Sequence, residues 1–210
     1  SLFFNQLNSP KDLFKLTTIL SNLINYNMKN SYFFGYGSLV NTSTHSFKTY
    51  ETGFVQGWRR YWQHTSLRDI PYLSVYPSDK NKLYGLIAKV PDNSWKDLDF
   101  REKGYNRTET KCIIKTKEVK HTQIYYVPKC NFSIRNRDKG LLLSYLDCVI
   151  QGYLKQFGEE IAAEFFSTTD GWDIKIRDDR LNPLYPRHVD LTKSERAFID
   201  HHINLVRKTL

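Results

Sequence analysis

The stretch from residue 34 to residue 39, FGYGSL, has residue types that suit the binding of an anion. It is predicted to be a strand end followed by a turn, in which Gly35 and Gly37 let the backbone bend sharply. A ligand can then approach the backbone N–H groups, which is how loops form anion and oxyanion sites. An ordinary strand-ending turn would look the same, because short glycine patterns are common. The stretch is not a triphosphate-binding loop, since it lacks the Gly-Lys-Ser/Thr ending.

Glu102 is the acidic residue whose position best suits proton transfer. It lies at a predicted helix-to-strand junction, in the sequence LDFREKGYNR, with Trp95 and Phe100 nearby. Partial burial among those rings would raise the pKa of the carboxyl towards the range that a general acid or base needs. The alternative is a solvated carboxylate at a helix end, paired with Arg101 or Lys103. On spacing alone, the second description is the commoner one.

The run from residue 57 to residue 64, GWRRYWQH, alternates cations with aromatic rings. Grooves that bind single-stranded nucleic acid use such side chains for stacking and phosphate contact. In a strand, however, Trp58, Arg60 and Trp62 point to one face and Arg59 points to the other. The cations and rings of the run would then not share one binding surface. Core aromatics packed beside arginine stems explain the run at least as well.

The cysteines and histidines do not have the spacing of a metal site or a disulfide framework. Cys112, Cys130 and Cys148 form no CxxC pair and have no histidine at ligand spacing. The six histidines are scattered, and the adjacent pair His201 and His202 lacks a third ligand. We therefore expect free thiols in a reducing, cytoplasmic compartment, and no bound metal or cofactor.

Hydrophobic periodicity predicts an α+β fold with a strand-rich middle. A capping serine, a proline and leucines at helical spacing predict an N-terminal helix between Ser9 and Asn25. The stretch 83–88 is apolar on both alternations, as in a central strand covered on both faces. Six aromatic and β-branched runs predict strands at 32–36, 54–63, 72–76, 82–90, 105–114 and 119–127. This density of strands indicates a small mixed barrel or sheet packed with helices.

Three further helices are predicted. One spans residues 91–102, is capped by Asn93 or Ser94, and ends at the candidate carboxylate. Another follows residue 140 and runs to about Phe157. The last begins at a TKSE capping box that opens with Thr192.

Length and composition limit the number of domains and the class of protein. The chain has 210 residues, is 40% hydrophobic and 25% charged, and contains no linker, repeat or low-complexity tract. We expect one domain over 1–210, with a helical extension at 1–30 and a helical part at 140–210. No stretch approaches the roughly 18 apolar residues of a membrane-spanning helix, and the first residues do not resemble a signal peptide. The charged and aromatic segment 170–187 is predicted to be a salt-bridged loop, with a lid over a site as the alternative.

The net charge is +9, from 31 lysines and arginines against 22 acidic residues. A basic chain suits nucleic acid, an anionic membrane or a small acidic substrate. Charge alone does not choose among these partners.

Three motifs in a fixed order resemble those of a known family. A YGSL turn follows the first predicted strand, a GWRRYW strand comes next, and LDFREKGY stands at the helix-to-strand junction. In this order, residues 32–107 resemble the gamma-glutamylcyclotransferase superfamily, and GWRRYWQ and REKGY are most similar to its glutathione-degrading ChaC branch. The C-terminal third, from Gly140 onward, departs from the ChaC pattern.

This resemblance implies a compact mixed barrel with surrounding helices, whose turn at residues 34–39 binds a γ-glutamyl group. It also places Glu102 where the family keeps its general acid and base. Arg107, or else Arg59 or Arg60, would bind a substrate carboxylate through paired hydrogen bonds. The residues expected to contact the substrate are Phe34, Gly35, Tyr36, Gly37, Ser38, Leu39, Tyr105 and Arg107.

The implied reaction uses no cofactor. The α-amine of a γ-glutamyl compound attacks the γ-carbonyl of the same molecule, which gives 5-oxoproline and a free amine. Glu102 would take a proton from the attacking amine and give one to the leaving nitrogen. A backbone N–H group of Gly37, Ser38 or Leu39 would stabilise the charge that develops on the carbonyl oxygen.

Two other functions stay open at this point. One is a protein that binds γ-glutamyl compounds or small anions in the same cavity without catalysis. The other, less favoured, is a basic domain that binds single-stranded nucleic acid through residues 58–62. Under the leading hypothesis, the protein binds a small-molecule γ-glutamyl substrate and binds neither nucleic acid nor a membrane. Neither the leaving amine nor the oligomeric state follows from the sequence.

Overall fold

The computed structural model describes residues 31–90, 95–133 and 139–208. Its strands are Tyr32–Gly35 (β1), Tyr50–Gln63 (β2), Tyr72–Lys89 (β3), Asn106–Ile114 (β4), Lys117–Tyr126 (β5), Leu141–Leu142 (β6), Thr169–Asp170 (β7) and Ile176–Arg177 (β8). Its α-helices are Lys96–Arg101 (α1), Leu143–Phe157 (α2), Glu159–Ser167 (α3) and Lys193–Lys208 (α4). Short 3-10 turns lie at Ser38–Val40, Thr42–Thr44 and Lys129–Asn131.

Strands β1 to β5 close into a barrel. Their order is β3-β1-β5-β4-β2, and β2 pairs again with β3. Closing the sheet in this way removes its open edges. Strands β1 and β5 run parallel, whereas the other neighbours in the barrel run antiparallel. This arrangement, with helices packed around it, confirms the predicted α+β fold.

Strand β3 corrects one expectation from the sequence. The two runs predicted on either side of Pro77 form a single strand of 18 residues. Gln56 of β2 pairs with Lys82, but Trp58 pairs with Pro77, so the residues of β3 between these partners bulge opposite Gly57. Gly57 has a φ of +82°, which glycine adopts without steric cost. The proline is accommodated because it stands at a bulge rather than in a regular ladder.

The C-terminal helices agree with their sequence signals, with one addition. The helix expected to run to Phe157 is confirmed as α2, and α3 follows after Gly158, which has a φ of +80°. Helix α3 was not predicted. The capping box of α4 is confirmed: Thr192 Oγ1 accepts from the Glu195 N–H at 3.2 Å, and Glu195 Oε2 accepts from the Thr192 N–H at 2.8 Å.

Two predictions fall partly or wholly outside the described residues. These are the N-terminal helix at 9–25 and the proposed caps Asn93 and Ser94 of the next helix. The remainder of that second helix is confirmed as α1, which ends at Arg101 with Glu102 as its C-cap residue. None of the described helices is long and apolar enough to cross a bilayer.

The core lies on both faces of β1. Phe34 belongs to a large cluster with Leu146 of α2, and Phe33 belongs to a smaller cluster with Leu98 of α1. Both phenylalanines are 1% exposed, and burial of such a side chain contributes roughly 2 kcal/mol. The leucines, isoleucine and alanine of the stretch 83–88 in β3 are also buried, as predicted. The turn that follows β1 therefore begins from a strand held on two sides.

Helix α2 packs directly against the backbone that follows this turn. A Cβ at Gly152 would stand 2.6 Å from the backbone nitrogen of Asn41 and 2.8 Å from its Cα. Asn41 also donates from Nδ2 to the carbonyl of Cys148 at 2.9 Å and to Gln151 Oε1 at 3.1 Å. The absence of a side chain at Gly152 is what allows this contact.

We expect Gly152→Ala to lower the free energy of unfolding by roughly 1–3 kcal/mol. Alanine normally gains about 1 kcal/mol over glycine inside a helix, but here the added methyl group meets the Asn41 backbone. Urea unfolding followed by circular dichroism measures the change. Lys155→Ala, at an exposed position of the same helix, is the control and should change stability by less than about 0.5 kcal/mol. A more stable Gly152→Ala protein would contradict the close contact.

Candidate active site

A small cleft forms where the turn after β1 meets the end of α1. The residues that line it are Phe34, Gly35, Tyr36, Gly37, Ser38, Leu39, Leu73, Glu102, Tyr105, Tyr125 and Tyr145. The space inside the cleft is about 30 Å³, and the cleft is partly open to solvent.

All the residues of the turn from residue 34 to residue 39 line this cleft. The first hydrogen bonds of its 3-10 turn run from the Val40 N–H to the Gly37 carbonyl at 2.9 Å and from the Asn41 N–H to the Ser38 carbonyl at 3.1 Å. The N–H groups of Ser38 and Leu39 precede these bonds, as do the first N–H groups of any helical turn. Such groups are suited to a negatively charged oxygen.

Glu102 reaches the cleft as the C-cap residue of α1. Its own N–H donates to the carbonyl of Leu98 at 2.9 Å, and its side chain is 18% exposed. Burial raises the pKa of the Glu102 carboxyl, while the charges of Arg101, Arg187 and Arg68 oppose that rise. The two descriptions considered from the sequence each hold in part: the carboxyl is largely buried and is also paired with Arg101.

The source of that burial differs from the expectation. Phe100 is 83% exposed, so it does not cover the carboxyl. The tyrosines of the cleft surround Glu102 instead, and its charge raises the pKa of each of them, although burial is the larger cause. Phe100 lies two residues before Glu102, and each residue of a helix is rotated by about 100° around the axis. The Phe100 ring therefore points away from the carboxyl.

Arg101 connects Glu102 to the segment after the turn. Its Nε donates to Glu102 Oε1 at 3.1 Å. Its Nη1 donates to the Thr44 carbonyl at 2.9 Å, and its Nη2 contacts Thr44 Oγ1 at 3.1 Å and Ser38 Oγ at 3.5 Å. One planar guanidinium thus fixes the carboxyl relative to the turn. From the sequence, Arg101 is recognisable only as a pairing partner of Glu102, because its contact with Thr44 depends on the fold.

Tyrosine hydroxyls form an uncharged wall around the carboxyl. Tyr36 donates to the carbonyl of Tyr125 at 2.7 Å, and Tyr105 donates to the carbonyl of Leu73 at 2.8 Å. Burial raises the pKa of Tyr36, Tyr105 and Tyr145 well above the ordinary value, so these hydroxyls stay protonated. Of the described residues that line the cleft, Glu102 alone is acidic.

Arg107, which is predicted to contact the substrate, does not line the cleft. Its Nε and Nη2 donate to the Asp99 carboxylate at 2.7 and 3.0 Å, and its guanidinium lies 4.2 Å from the centre of the Trp95 ring. Arg59, one of the alternatives, is likewise bound to Asp170, at 2.6 and 2.7 Å. Both guanidiniums are already occupied by a carboxylate.

The cationic and aromatic run of β2 is built into the core. Arg60 is 2% exposed, donates to the Tyr153 hydroxyl at 2.7 Å and lies 4.2 Å from the centre of the Phe165 ring. Trp62 is 3% exposed, and Trp58 donates from Nε1 to Thr110 Oγ1 at 2.9 Å. These residues make the packing that the core interpretation expected, and they do not present a row of exposed rings.

The described cysteines and histidines show no arrangement for metal binding. No group of three or more potential ligand side chains occurs within residues 31–90, 95–133 and 139–208. Cys112, Cys130 and Cys148 are free, and burial raises the pKa of the Cys112 and Cys148 thiols to about 12. The ring of His202 packs 5.2 Å from that of Phe166.

The structure therefore brings together every predicted site residue except Arg107. It adds Leu73, Tyr125 and Tyr145 to the cleft, and Arg101 behind it. Tyr145 appeared in the sequence only as one apolar position of a helix, and nothing in its spacing distinguishes it from its neighbours. A carboxyl with a raised pKa, set beside backbone N–H donors, can exchange protons with a ligand whose oxygen accepts from those donors.

Solved structures share this barrel with its helices. A protein named gamma-glutamyl cyclotransferase superposes with a TM-score of 0.55 at 13% identity, over 82% of this chain and 99% of that one. The human protein loc79017, described as uncharacterized, gives 0.56 at 14% identity over the same shares. YkqA from Bacillus subtilis gives 0.53 at 14% identity, covering 72% of this chain and 60% of YkqA, so the chain spans less than two thirds of YkqA. The fold is that of the gamma-glutamyl cyclotransferases.

Comparison with family models identifies the family. The model described as ChaC-like protein matches residues 31–137, just over half of the chain. The chain belongs to the ChaC-like family. The matched residues include the turn after β1 and Glu102. The match ends before Gly140, and from Gly140 onward the sequence departs from the ChaC pattern. A search of the curated proteins found no significant match.

We expect the pKa of the Glu102 carboxyl, measured by carbon-13 NMR, to lie above the ordinary glutamate value and to rise further in Arg101→Met. The reason is that removal of the paired cation destabilises the carboxylate. Arg107→Met is the control: it should leave the pKa of Glu102 unchanged. It should raise that of Asp99, which bonds from Arg107 and Tyr125 hold low against the effect of burial. An ordinary pKa for Glu102 would contradict its burial.

Proposed function

We propose that the protein is a gamma-glutamylcyclotransferase, which converts a γ-glutamyl compound into 5-oxoproline and a free amine. The observation that carries the proposal is that the largely buried Glu102 and residues 37–39 line one cleft. Membership of the ChaC-like family and the shared fold support the same activity.

The reaction begins with proton removal. The α-ammonium group of the substrate gives a proton to the Glu102 carboxylate, and the freed amine forms a bond to the γ-carbonyl carbon. The carbonyl π electrons move to oxygen. When they return, the bond from the γ-carbon to the leaving nitrogen breaks, and Glu102 gives its proton to that nitrogen. The Glu102 carboxylate then takes the second proton from the ring nitrogen, which leaves a neutral lactam, and passes it to the departing amine, which leaves as an ammonium ion. The carboxylate is restored, so a raised pKa suits a group that must both take and return a proton.

The turn after β1 supplies the second element. The N–H groups of Ser38 and Leu39 at the start of the 3-10 turn donate to the oxygen while it carries negative charge. Because β1 is buried on both faces and Arg101 bonds to Ser38 and Thr44, these donors are in place before the substrate binds. Preorganised donors of this kind are worth about 3–4 kcal/mol in related reactions.

The tyrosines of the cleft determine the conformation of the substrate. A γ-glutamyl chain rotates freely in water, and ring closure requires one folded rotamer. A narrow space walled by Tyr36, Tyr105 and Tyr145 favours that rotamer, which lowers the entropic part of the barrier.

The location and domain organisation remain proposals from the sequence. We propose a single domain over residues 1–210 that works in the cytoplasm. The free thiols of Cys112, Cys130 and Cys148 suit a reducing compartment.

Glu102→Gln is expected to lower kcat/KM for 5-oxoproline release by about 10²–10⁴-fold, because an amide cannot accept and return the proton. Release is measured from glutathione, γ-glutamyl amino acids and γ-glutamyl-ε-lysine. Glu109→Gln, an exposed glutamate of β4, is the matched control and should keep full activity. Full activity of Glu102→Gln would contradict the role of Glu102 in proton transfer. Thermal stabilisation by these compounds without product would favour a binding protein instead.

The pH dependence of kcat/KM follows from the direction of the Glu102 pKa shift. The carboxylate form accepts the proton, so activity should rise with pH through the raised pKa and not through the ordinary glutamate value. Arg101→Met should move this acid limb to higher pH, because the arginine stabilises the carboxylate. A pH–rate profile of both proteins measures it. An acid limb that lies at the same pH in Arg101→Met would show that the titrating group is not Glu102.

A further inference from the structure

One buried arginine of β2 has no role in the mechanism. Arg60 belongs to the GWRRYW motif, is 2% exposed and packs against side chains of α2 and α3. Among the described residues, it forms no ion pair with a carboxylate. A buried cation without such a partner is unfavourable unless other polar groups stabilise it. The charge of Arg60 is therefore stabilised by its hydrogen bonds.

Three hydroxyl groups accept the hydrogen bonds of the Arg60 guanidinium. Its Nη1 donates to Tyr153 at 2.7 Å, its Nε to Thr169 at 3.0 Å and its Nη2 to Thr168 at 2.7 Å. Each of these hydroxyls in turn donates to a backbone carbonyl. The two threonines donate to carbonyls in the last turn of α3, at 2.6 and 2.7 Å. Their bonds therefore do not involve the turn after β1.

The hydroxyl of Tyr153 connects Arg60 to the turn after β1. Tyr153 is fully buried in α2, and burial raises the pKa of its hydroxyl to about 12, so the group stays protonated and can donate. Its oxygen lies 2.9 Å from the carbonyl oxygen of Tyr36 and 2.7 Å from that of Tyr84. Tyr36 is part of the turn that lines the cleft. A chain of hydrogen bonds thus runs from the buried guanidinium through Tyr153 to the Tyr36 carbonyl.

The Tyr36 carbonyl and the Gly37 N–H belong to one peptide group. None of the described peptide bonds is cis, so the C=O and the N–H of this planar group point in opposite directions. Because the carbonyl is directed to Tyr153, the N–H points away from that side chain. Gly37 lines the cleft, and within the described part of the chain its N–H has no hydrogen-bond acceptor. This N–H is therefore available to an oxygen atom of a ligand.

A hydrogen bond to a peptide carbonyl strengthens the N–H donor of the same peptide. The bond draws electron density towards the carbonyl oxygen, so the nitrogen and its hydrogen become more positive, and the bonds of such a chain polarise one another. A chain that begins at a cation has a larger effect than a neutral one. The charge of Arg60 is also weakly screened, because it lies in the protein interior.

We propose that Arg60 and Tyr153 are positioning residues, which orient the peptide group before Gly37 and strengthen its N–H as a donor to the reacting carbonyl oxygen. This inference rests on the proposed cyclotransferase function. It adds the Gly37 N–H to the donors of Ser38 and Leu39. The oxygen carries its negative charge only while the ring closes, so the two residues act on the rate of the chemical step more than on substrate binding.

Tyr153→Phe removes the hydroxyl that links Arg60 to the turn and keeps the buried ring. We expect kcat for 5-oxoproline release to fall about threefold to tenfold, and KM to stay within about twofold, because the weakened donor acts on charge that develops during the reaction. The substrate is the γ-glutamyl compound that the wild-type protein converts fastest.

Thr169→Val is the matched control. It removes another buried hydroxyl that accepts from Arg60 and donates to a backbone carbonyl, but one that does not contact the turn. We expect its kcat to stay within about twofold of the wild-type value, whereas urea unfolding should show a loss of stability in both variants. Equal losses of kcat in the two variants would overturn the positioning role, because they would indicate a general effect of the lost hydroxyl on the fold.

Two further measurements do not depend on activity. In carbon-13 NMR, the Tyr36 carbonyl resonance should move upfield in Tyr153→Phe, where a hydrogen bond is lost, and should not move in Thr169→Val. An unchanged resonance in Tyr153→Phe would overturn the inference. If Tyr153→Phe does not fold, neutron diffraction from wild-type crystals locates the deuterium of the Tyr153 hydroxyl. Deuterium directed to the Tyr36 carbonyl would support the inference, and deuterium directed only to Tyr84 would overturn it.

The activity measurements separate this inference from the proposed function. No 5-oxoproline from any compound with the wild-type protein would overturn the function, and the role of Arg60 and Tyr153 in the reaction with it. Release by the wild-type protein with an unchanged kcat in Tyr153→Phe would overturn the positioning role and leave the function standing. A loss of kcat in Tyr153→Phe that Thr169→Val does not show would support both.

Discussion

The guanidinium of Arg101 joins the two parts on which the site depends. One side of it contacts Glu102 Oε1, and the other contacts Thr44 and Ser38 after the turn. Burial raises the pKa of the Glu102 carboxyl, and the adjacent cation opposes that rise. Because these two effects oppose each other, the Glu102 carboxyl is suited to take up a proton and then release it. The same side chain fixes where that proton is relative to the backbone donors.

Three parts of the fold hold this arrangement in position. The closed barrel fixes β1, and therefore the start of the turn, because both faces of the strand are buried. Helix α1 ends at the carboxyl, and α2 packs against Asn41 through Gly152. The C-terminal segment packs the ring of Tyr185 against that of Tyr145, which lines the cleft. Most of the cleft thus comes from the region that matches the family, and Tyr145 comes from the region that does not.

Local signals in the sequence predict most elements and many of the residues that line the cleft. The capping box at Thr192, the doubly apolar stretch of β3 and the order of the turn and Glu102 motifs each depend on neighbouring residues. What the sequence missed depends on tertiary contact. Arg107 is close to Glu102 along the chain, yet the strand that holds it directs it to Asp99. Tyr145 reaches the cleft only because α2 packs beside the turn after β1.

The central claim is that one cleft holds the reacting amine at Glu102 and the carbonyl oxygen at the turn. A crystal structure of the wild-type protein with bound 5-oxoproline tests it most directly. The account predicts the ring nitrogen within about 3 Å of a Glu102 carboxyl oxygen, and the ring carbonyl oxygen at the same distance from a backbone nitrogen of residues 37–39. Product bound elsewhere, or bound in the cleft with its ring amide away from both groups, would contradict the account.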